Sequence, residues 1–498
     1  MALKFKKFHI GCAALLLLAL AVPGLLSLRE APPQDTGSSG VSESAEDQPV
    51  SPAETAASQQ EPCPAAMRQP DDPGAVVELT SQALEYRLRA ALEKPEGDFT
   101  AGELARIQRL HLRDTGSAVN PEPPPEGSPE DTGSMDDDSQ LPDLPLTDLS
   151  DLKYFINLRE LDLSGNQKIT SLDPLKNLTG LETLTMEYMG PDALAGLSPL
   201  ADMASLRELN LYGSYVDDTG FLSELKSLET LNLFVKDANA LAPLAGLARL
   251  TSLDVYADRE VALDLSPLAG LTGLTRLNLS ACKTAGITPL RGLTNLTFLS
   301  LSNCLVTDIS PLSGLTALTE LHLNSNQIAD ISPLAGLTRM ERLRLYENQI
   351  TDLSPLARMT ALQELYISTN QVESLEPLSA CLRLTGLDAG RNRIADLSPL
   401  SGAEGMGYLN VSDNRLTQIS ALEKMERLET LYINNNQITD IQPLSGKKKL
   451  TVLSMDGNQI TDLSPLEDAE SLISLSARRN GITDWSPVAH VREVWGMD

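Results

Sequence analysis

The chain has little of what chemistry usually needs. It has four histidines, His9, His111, His322 and His490, far apart along 498 residues. No His/Cys/Asp cluster shows metal-ligand spacing. No Gly-rich phosphate loop joins a strand to a helix, and no G-x-S-x-G elbow occurs. Catalysis requires a convergent set of groups. The expectation is therefore a protein that is not an enzyme and holds neither cofactor nor metal. The five cysteines form no disulfide framework. Basic residues are also short, 39 against 68 acidic ones, for a net charge of −29. Polyanion backbones would be repelled, which argues against nucleic acid. Aromatic residues make up only 4% of the chain, so the place of each one is informative.

Leucine is abundant, and it recurs at a fixed period. "LHLNSNQIADISPLAGLTRM" (321–340) is followed two residues later by "LRLYENQITDLSPLARMTAL" (343–362). With Leu318 as position one, the frame restarts every 22 residues at Met340, Leu362, Leu384, Met406, Leu428, Leu450 and Leu472. Backwards it restarts at Leu296, Leu274, Leu250, Leu228, Leu206, Leu181 and Leu158, spaced 22 to 25 apart, for 15 copies over residues 158–493. A period of 20–29 with L-x-x-L-x-L-x-x-N is the signature of a leucine-rich repeat. The predicted fold is an α/β solenoid. It is a horseshoe with a parallel concave β-sheet, short 3-10 or helical convex segments and a small helical N-terminal cap.

Alternating leucines place one face of each strand in a shared core. Asparagine at position nine (Asn326, Asn348, Asn370, Asn392, Asn414, Asn436, Asn458, Asn480) can satisfy backbone groups that an inward turn buries. Cys282 and Cys304 take that slot in adjacent copies and read as buried small residues. Ser332-Pro333 reads as an N-cap followed by proline at the first helical position. Asp330, Asp352, Asp396, Asp440, Asp462 and Asp484 precede that turn and should face solvent, because no oxygen-rich loop closes around them for calcium.

These copies resemble the internalin-type leucine-rich repeats of bacterial surface proteins. The resemblance covers residues 76–498 and is most specific over 274–493. "LTSQALEYRLRAALEKPEGDFTAGELARIQRLHLRD" (79–113) is similar to the family's helical cap, with Leu84, Leu88 and Leu92 at helical spacing. The resemblance implies a curved solenoid whose concave sheet binds a protein partner, on a host or a bacterial surface. The C-terminus departs from the family. No LPxTG-like tail accompanies "VREVWGMD", so wall sorting is not implied.

Residues 1–28 pair Lys4, Lys6 and Lys7 with an apolar run, as an export signal does. Ala19-Leu20-Ala21 offers a cleavage site, and an uncleaved anchor is the alternative. Either predicts an extracellular protein, secreted or on the cell surface, that touches membrane only there. Cys12 precedes the run, which argues against lipoprotein acylation. Residues 29–75, with the lone Cys63, read as a disordered Ser/Pro/acidic tether. Residues 76–113 form the cap and first strand, 114–145 an acidic insertion within one coil, and 146–498 the array. Asp136–Asp138 read as solvated acids.

The exposed strand positions are three, five, seven and eight. Seven of the ten tyrosines fall there (Tyr188, Tyr212, Tyr256, Tyr346, Tyr366, Tyr408, Tyr432), with Phe234 and Phe298. Strand propensity alone would favour such rings, but exposed aromatics with arginine are also what interface hot spots are made of. Two patches are predicted. One is a stripe of Tyr212, Phe234 and Tyr256 at position seven, preceded by Tyr188. The other joins Arg342, Arg344, Tyr346 and Tyr366 to His322. The first lies in copies of irregular length, where Met189, Ser214, Lys236 and Asp258 replace asparagine. Rule-breaking is expected at functional sites, and repeat drift is the competing reading. The predicted function is protein recognition by a monomer. Glycan binding through the same rings and a plain structural spacer are the alternatives. Trp485 and Trp495 should cover the last coil, with Val494 opening a sixteenth copy.

Overall fold

A computed structural model describes residues 68–114, 144–194, 196–257 and 261–496. The export segment, the tether up to residue 67 with Cys63, most of the acidic insertion with Asp136–Asp138, and Asp258 lie outside the described residues.

Leucines at position four pair in register from copy to copy. Leu110, Leu161, Leu184, Leu209, Leu231, Leu253 and Leu277 begin a row that ends at Leu475 and Val494. Seventeen strands form this parallel sheet. Its terminal strands, Arg109–His111 and Glu493–Trp495, each pair on one side, so the sheet is open. Beneath it the leucine columns are sealed; Leu231, Leu321 and Leu343 expose no surface. The return path is a 3-10 turn in each copy, such as Ser332–Gly336.

Each turn buries backbone groups, and asparagine pairs them. Asn348 Nδ2 donates to Leu323 O (2.9 Å) in the preceding coil and to Leu345 O (3.0 Å) in its own, while its Oδ1 accepts from Ile328 N at 3.0 Å. The same bonds recur at Asn370, Asn392, Asn414, Asn436, Asn458 and Asn480. Cys282 and Cys304 keep one rung, each Sγ donating to the preceding coil (Val255 O, 3.3 Å; Leu279 O, 3.0 Å). Burial pushes both thiols up to about 12, so they stay protonated. The residue before each asparagine turns left-handed: Ser325, Glu347, Thr369, Arg391, Asp413, Asn435 and Arg479 have φ of 51 to 57°. That conformation costs a non-glycine residue roughly 1–2 kcal/mol, which the amide bonds beside it offset.

Four expectations need correction. Ser332 is the first residue of its 3-10 turn and not its cap; Asp330 Oδ1 accepts the Ser332 N–H at 2.8 Å and does the capping. The Ser354 hydroxyl and amide likewise hold Asp352 below the ordinary carboxylate range. Leu92 lies beyond helix Gln82–Ala91 and is exposed, whereas Leu84 and Leu88 are buried. Val494 pairs with Leu475, which makes it position four of a shortened last step, with Val491 buried ahead of it. Trp485 packs on the core, but Trp495 falls at position five and is exposed, so only one of the two rings covers the end.

Asp151 and Asn157 tie the N-terminal cap to the array, Asn157 Nδ2 donating to Ala105 O at 2.8 Å. Asp151, 1% exposed, accepts from Thr80 N (2.8 Å), Ser81 N (2.8 Å) and Thr80 Oγ1 (3.0 Å). The helix start and the coil after the insertion are thereby held together.

Asn436→Ala would strip Leu416 N–H and Val411 C=O of their partners. Buried groups left unpaired cost about 1–3 kcal/mol each. The variant should shift the urea midpoint accordingly; an unchanged midpoint would show that the ladder does not stabilise the stack.

Candidate functional site

Parallel register sets residues at positions three and five into rows across the sheet, roughly 4.8 Å from strand to strand. Most strands span three residues, but Glu208–Val216, Thr230–Val235 and Ser252–Ala257 are longer. All three lack asparagine at position nine, as do the copies of Met189, Cys282 and Cys304, whose strands stay short. In the three longer strands no amide turns the chain inward, and pairing runs on. Ser214 does part of the missing work, donating to Met186 O (2.8 Å) and accepting from Met189 N (2.9 Å). The register shifts after Asn210, so that Tyr215 pairs with Phe234 and Phe234 with Tyr256. Gly213 makes the bend possible: it has φ 68°, and a Cβ there would lie 2.5 Å from the Tyr188 ring.

The consequence is a cluster of five rings. Tyr188 meets Tyr212 edge-on at 5.6 Å, and Tyr212 meets Tyr256 at 5.1 Å. Tyr215 meets Phe234 at 4.2 Å, and Phe234 stacks on Tyr256 at 6.4 Å. Tyr188, Tyr212 and Tyr215 remain 36%, 37% and 43% exposed, while Phe234 and Tyr256 are half-buried. Burial, with the Asp254 charge beside it, pushes the Tyr256 hydroxyl up to about 12. Lys236 Nζ sits 4.3 Å over the Tyr215 ring.

Tyr188, Tyr212, Phe234 and Tyr256 of the predicted stripe all lie in this cluster, in a different layout. Tyr215, absent from the prediction, faces Phe234, and Tyr212 sits against Tyr256 instead. Regular counting puts Tyr215 at position ten, past the turn, whereas the strand runs on to Val216. Position eight also fails as a surface position in two of these copies, because Val235 and Ala257 are buried.

The second patch centres on His322. Glu320 lies 2.8 Å from His322 Nε2 and accepts a hydrogen bond from Arg342 Nε, also at 2.8 Å. Arg344 lies beside His322 and Tyr366 in one row, its Cζ 5.4 Å from the Tyr366 ring centre. Phe298 meets His322 edge-on at 5.2 Å. Arg276 bridges the two patches, 3.9 Å over Phe298 and 3.5 Å from Asp254. Tyr346 is half-buried, at position seven of the Arg344 copy. Tyr408 and Tyr432 pair with each other at 6.1 Å, beyond strand Gly386–Asp388. Burial raises both the Asp388 carboxyl and the Tyr408 hydroxyl. Among the described residues, no group of three or more His, Cys, Asp or Glu is placed to hold a metal ion.

Residues 156–199, 294–336, 338–380, 408–446 and 426–468 match the family model described as Leucine Rich repeats (2 copies). No curated protein matches the chain. Among solved structures, the chain is similar to an internalin of Listeria monocytogenes, InlF, at 29% identity over 79% of this chain and 94% of that one, with a TM-score of 0.48. A second Listeria internalin, InlC2, is 32% identical over 38% of this chain and 81% of that one, with a TM-score of 0.36. A leucine-rich repeat protein of Leptospira interrogans shares the fold, at 19% identity over 70% of this chain and 99% of that one, with a TM-score of 0.61.

Burial, reinforced by Arg344, pushes the His322 imidazole down from 6.5 to about 4 against the pull of Glu320. In the unfolded chain the ring takes up its proton at higher pH. Stability from this group is thus complete above pH 6.5 and drains away as pH falls toward 4. The loss should reach ~3 kcal/mol at most. His322→Gln should flatten the slope of stability over this window; an identical slope in both proteins would refute the assignment.

Proposed function

Because this chain belongs to the internalin-type leucine-rich repeat proteins, we propose that it is an exported, non-enzymatic recognition protein. It holds a protein partner against the concave face of its sheet and acts as a monomer. One observation carries the reading. Five aromatic rings lie in mutual contact on that face, three of them more than a third exposed, above a leucine core that is already closed. Core packing does not require them, since Leu209, Leu231 and Leu253 fill the interior beneath. Preassembled rings lose little side-chain freedom on binding, which is what an interface anchor needs.

Tyrosine faces also stack on sugars, so the same cluster admits a glycan. The Phe234 contact with Tyr215 favours protein, because the phenyl ring offers no hydrogen bond to a hydroxyl-rich ligand. A spacer would have no use for the exposed rings at all. Export is supported by the lysines and apolar run of residues 1–28. Among the described residues, no helix is long and apolar enough to cross a membrane.

Capture of surface proteins by the exported chain, with and without glycan digestion of the extract, separates protein from sugar. Tyr212→Ala, Phe234→Ala and Tyr256→Ala should each weaken capture by about 1–3 kcal/mol. Leu231→Ala, directly beneath, should instead cost about 2–5 kcal/mol of stability. Undiminished capture by the triple aromatic variant would move the site elsewhere. Export has its own check: protease added to intact cells should remove the repeats, and complete protection would overturn that part.

A further inference from the structure

We propose that Arg344 is the docking point for a carboxylate of the protein partner, an Asp or Glu side chain; the inference rests on the recognition role given above. The described rows at positions three and five carry four arginines: Arg109, Arg276, Arg342 and Arg344. Arg109 is engaged. Arg276 lies 3.5 Å from Asp254, and Arg342 binds Glu320. Arg344 alone of the four has a guanidinium with no hydrogen bond or ion pair to any described residue. In a chain of net charge −29, a half-buried guanidinium left without an acid is conspicuous.

The neighbours explain why no internal acid reaches it. On one side stands His322, uncharged at neutral pH, and on the other Tyr366. Glu320 is taken by Arg342 and His322. Glu347 accepts from Ser325 Oγ at 2.7 Å, and Glu364 from the Tyr366 hydroxyl at 3.3 Å. Asp388, one strand beyond Tyr366, accepts from Ser368 Oγ, Gly390 N and Asn410 Nδ2. Every nearby carboxylate already serves another group.

The guanidinium is also held ready. Stacking on Tyr366 restrains it, and Tyr346 and the Phe298–His322 pair wall the site with rings. A fork-shaped donor in a partly desolvated setting favours a planar, bidentate carboxylate. Sugar hydroxyls need free acceptors around the cation, and here the acids are occupied. A protein carboxylate flanked by apolar side chains fits better than a carboxylated sugar.

The test uses an array of peptides with one Glu between apolar residues, each beside its Gln counterpart, probed with the full-length protein. The wild type should retain Glu members about tenfold better than their Gln twins, the scale of one charge-assisted hydrogen-bond pair. Arg344→Gln should erase the preference, and Arg344→Lys should restore only part of it. Both should melt with the wild type, because the Arg344 side chain makes no internal hydrogen bond or ion pair. The Tyr212/Phe234/Tyr256→Ala variant should keep the preference even if it loses the partner, so failure here and failure of the aromatic site are told apart. No preference in the wild type overturns the proposal. So does a preference that survives in Arg344→Gln, or Arg344-dependent capture of uronic-acid oligosaccharides without capture of acidic peptides.

Discussion

Backbone groups turned inward must be paired, and in each coil that carries the ninth-position asparagine one amide side chain does the pairing. A strand can alternate leucines indefinitely, but a solenoid exists only if the chain turns at the end of each strand. That turn drives N–H and C=O groups into a leucine-lined interior, where an unpaired group costs about 1–3 kcal/mol. Asn326 shows the full bonding: two carbonyls, Leu301 O and Leu323 O, and two amides, Cys304 N and Val306 N. Two coils are satisfied by one residue. The sheet in front and the 3-10 turns behind follow from where that residue sits.

Where the amide is missing, the architecture changes in a way that bears on function. Copies with Ser214 and Lys236 at the ninth position extend their strands instead of turning. Longer strands carry side chains beyond the usual rim, and the chain has put rings there. The rule that builds the scaffold is thus relaxed where the surface becomes most apolar. Cys282 and Cys304 are a contrasting substitution. They also lack the amide, yet each keeps a rung through its thiol, and their strands Arg276–Asn278 and Phe298–Ser300 stay short.

Most of the fold was legible because period and residue type repeat the same physical demand. Position four, the asparagine column and the Asp-x-Ser-Pro turn all recur, so each copy confirms the next. Legibility failed where a copy departs from its neighbours. Tyr215 lies outside positions three, five, seven and eight, and it joins the cluster because the chain does not turn at Ser214. Val494 falls three positions later in the frame than the regular period gives, because the last coil drops three residues. Ser332 was read as the cap because serine often caps, whereas the 3-10 turn begins one residue too soon and Asp330 takes over. The site's electrostatics were less legible still. Arg342 and Arg344 are two residues apart and look alike in sequence, but only register shows that Glu320 neutralises one of them.

Under the proposed function, the two patches would divide the work of recognition along physical lines. The aromatic cluster offers area and little direction, since rings accept many apolar shapes. The Arg344 site offers direction and little area, since a bidentate cation rewards one geometry. Four strand steps separate Tyr256 from Tyr346 and Arg344, through strands at Arg276, Phe298, Glu320 and Arg342. At ~4.8 Å per step the two sites stand roughly 19 Å apart. No single side chain spans that distance, so a ligand engaging both must be a folded surface or an extended segment of several residues. Arg276, stacked on Phe298 and tied to Asp254, fills the gap with a pair that is already neutral. The intervening surface therefore neither repels nor anchors. In the proposed complex, affinity would reside at one end and register at the other, an arrangement in which charge selects the partner's orientation more than it adds to its binding energy.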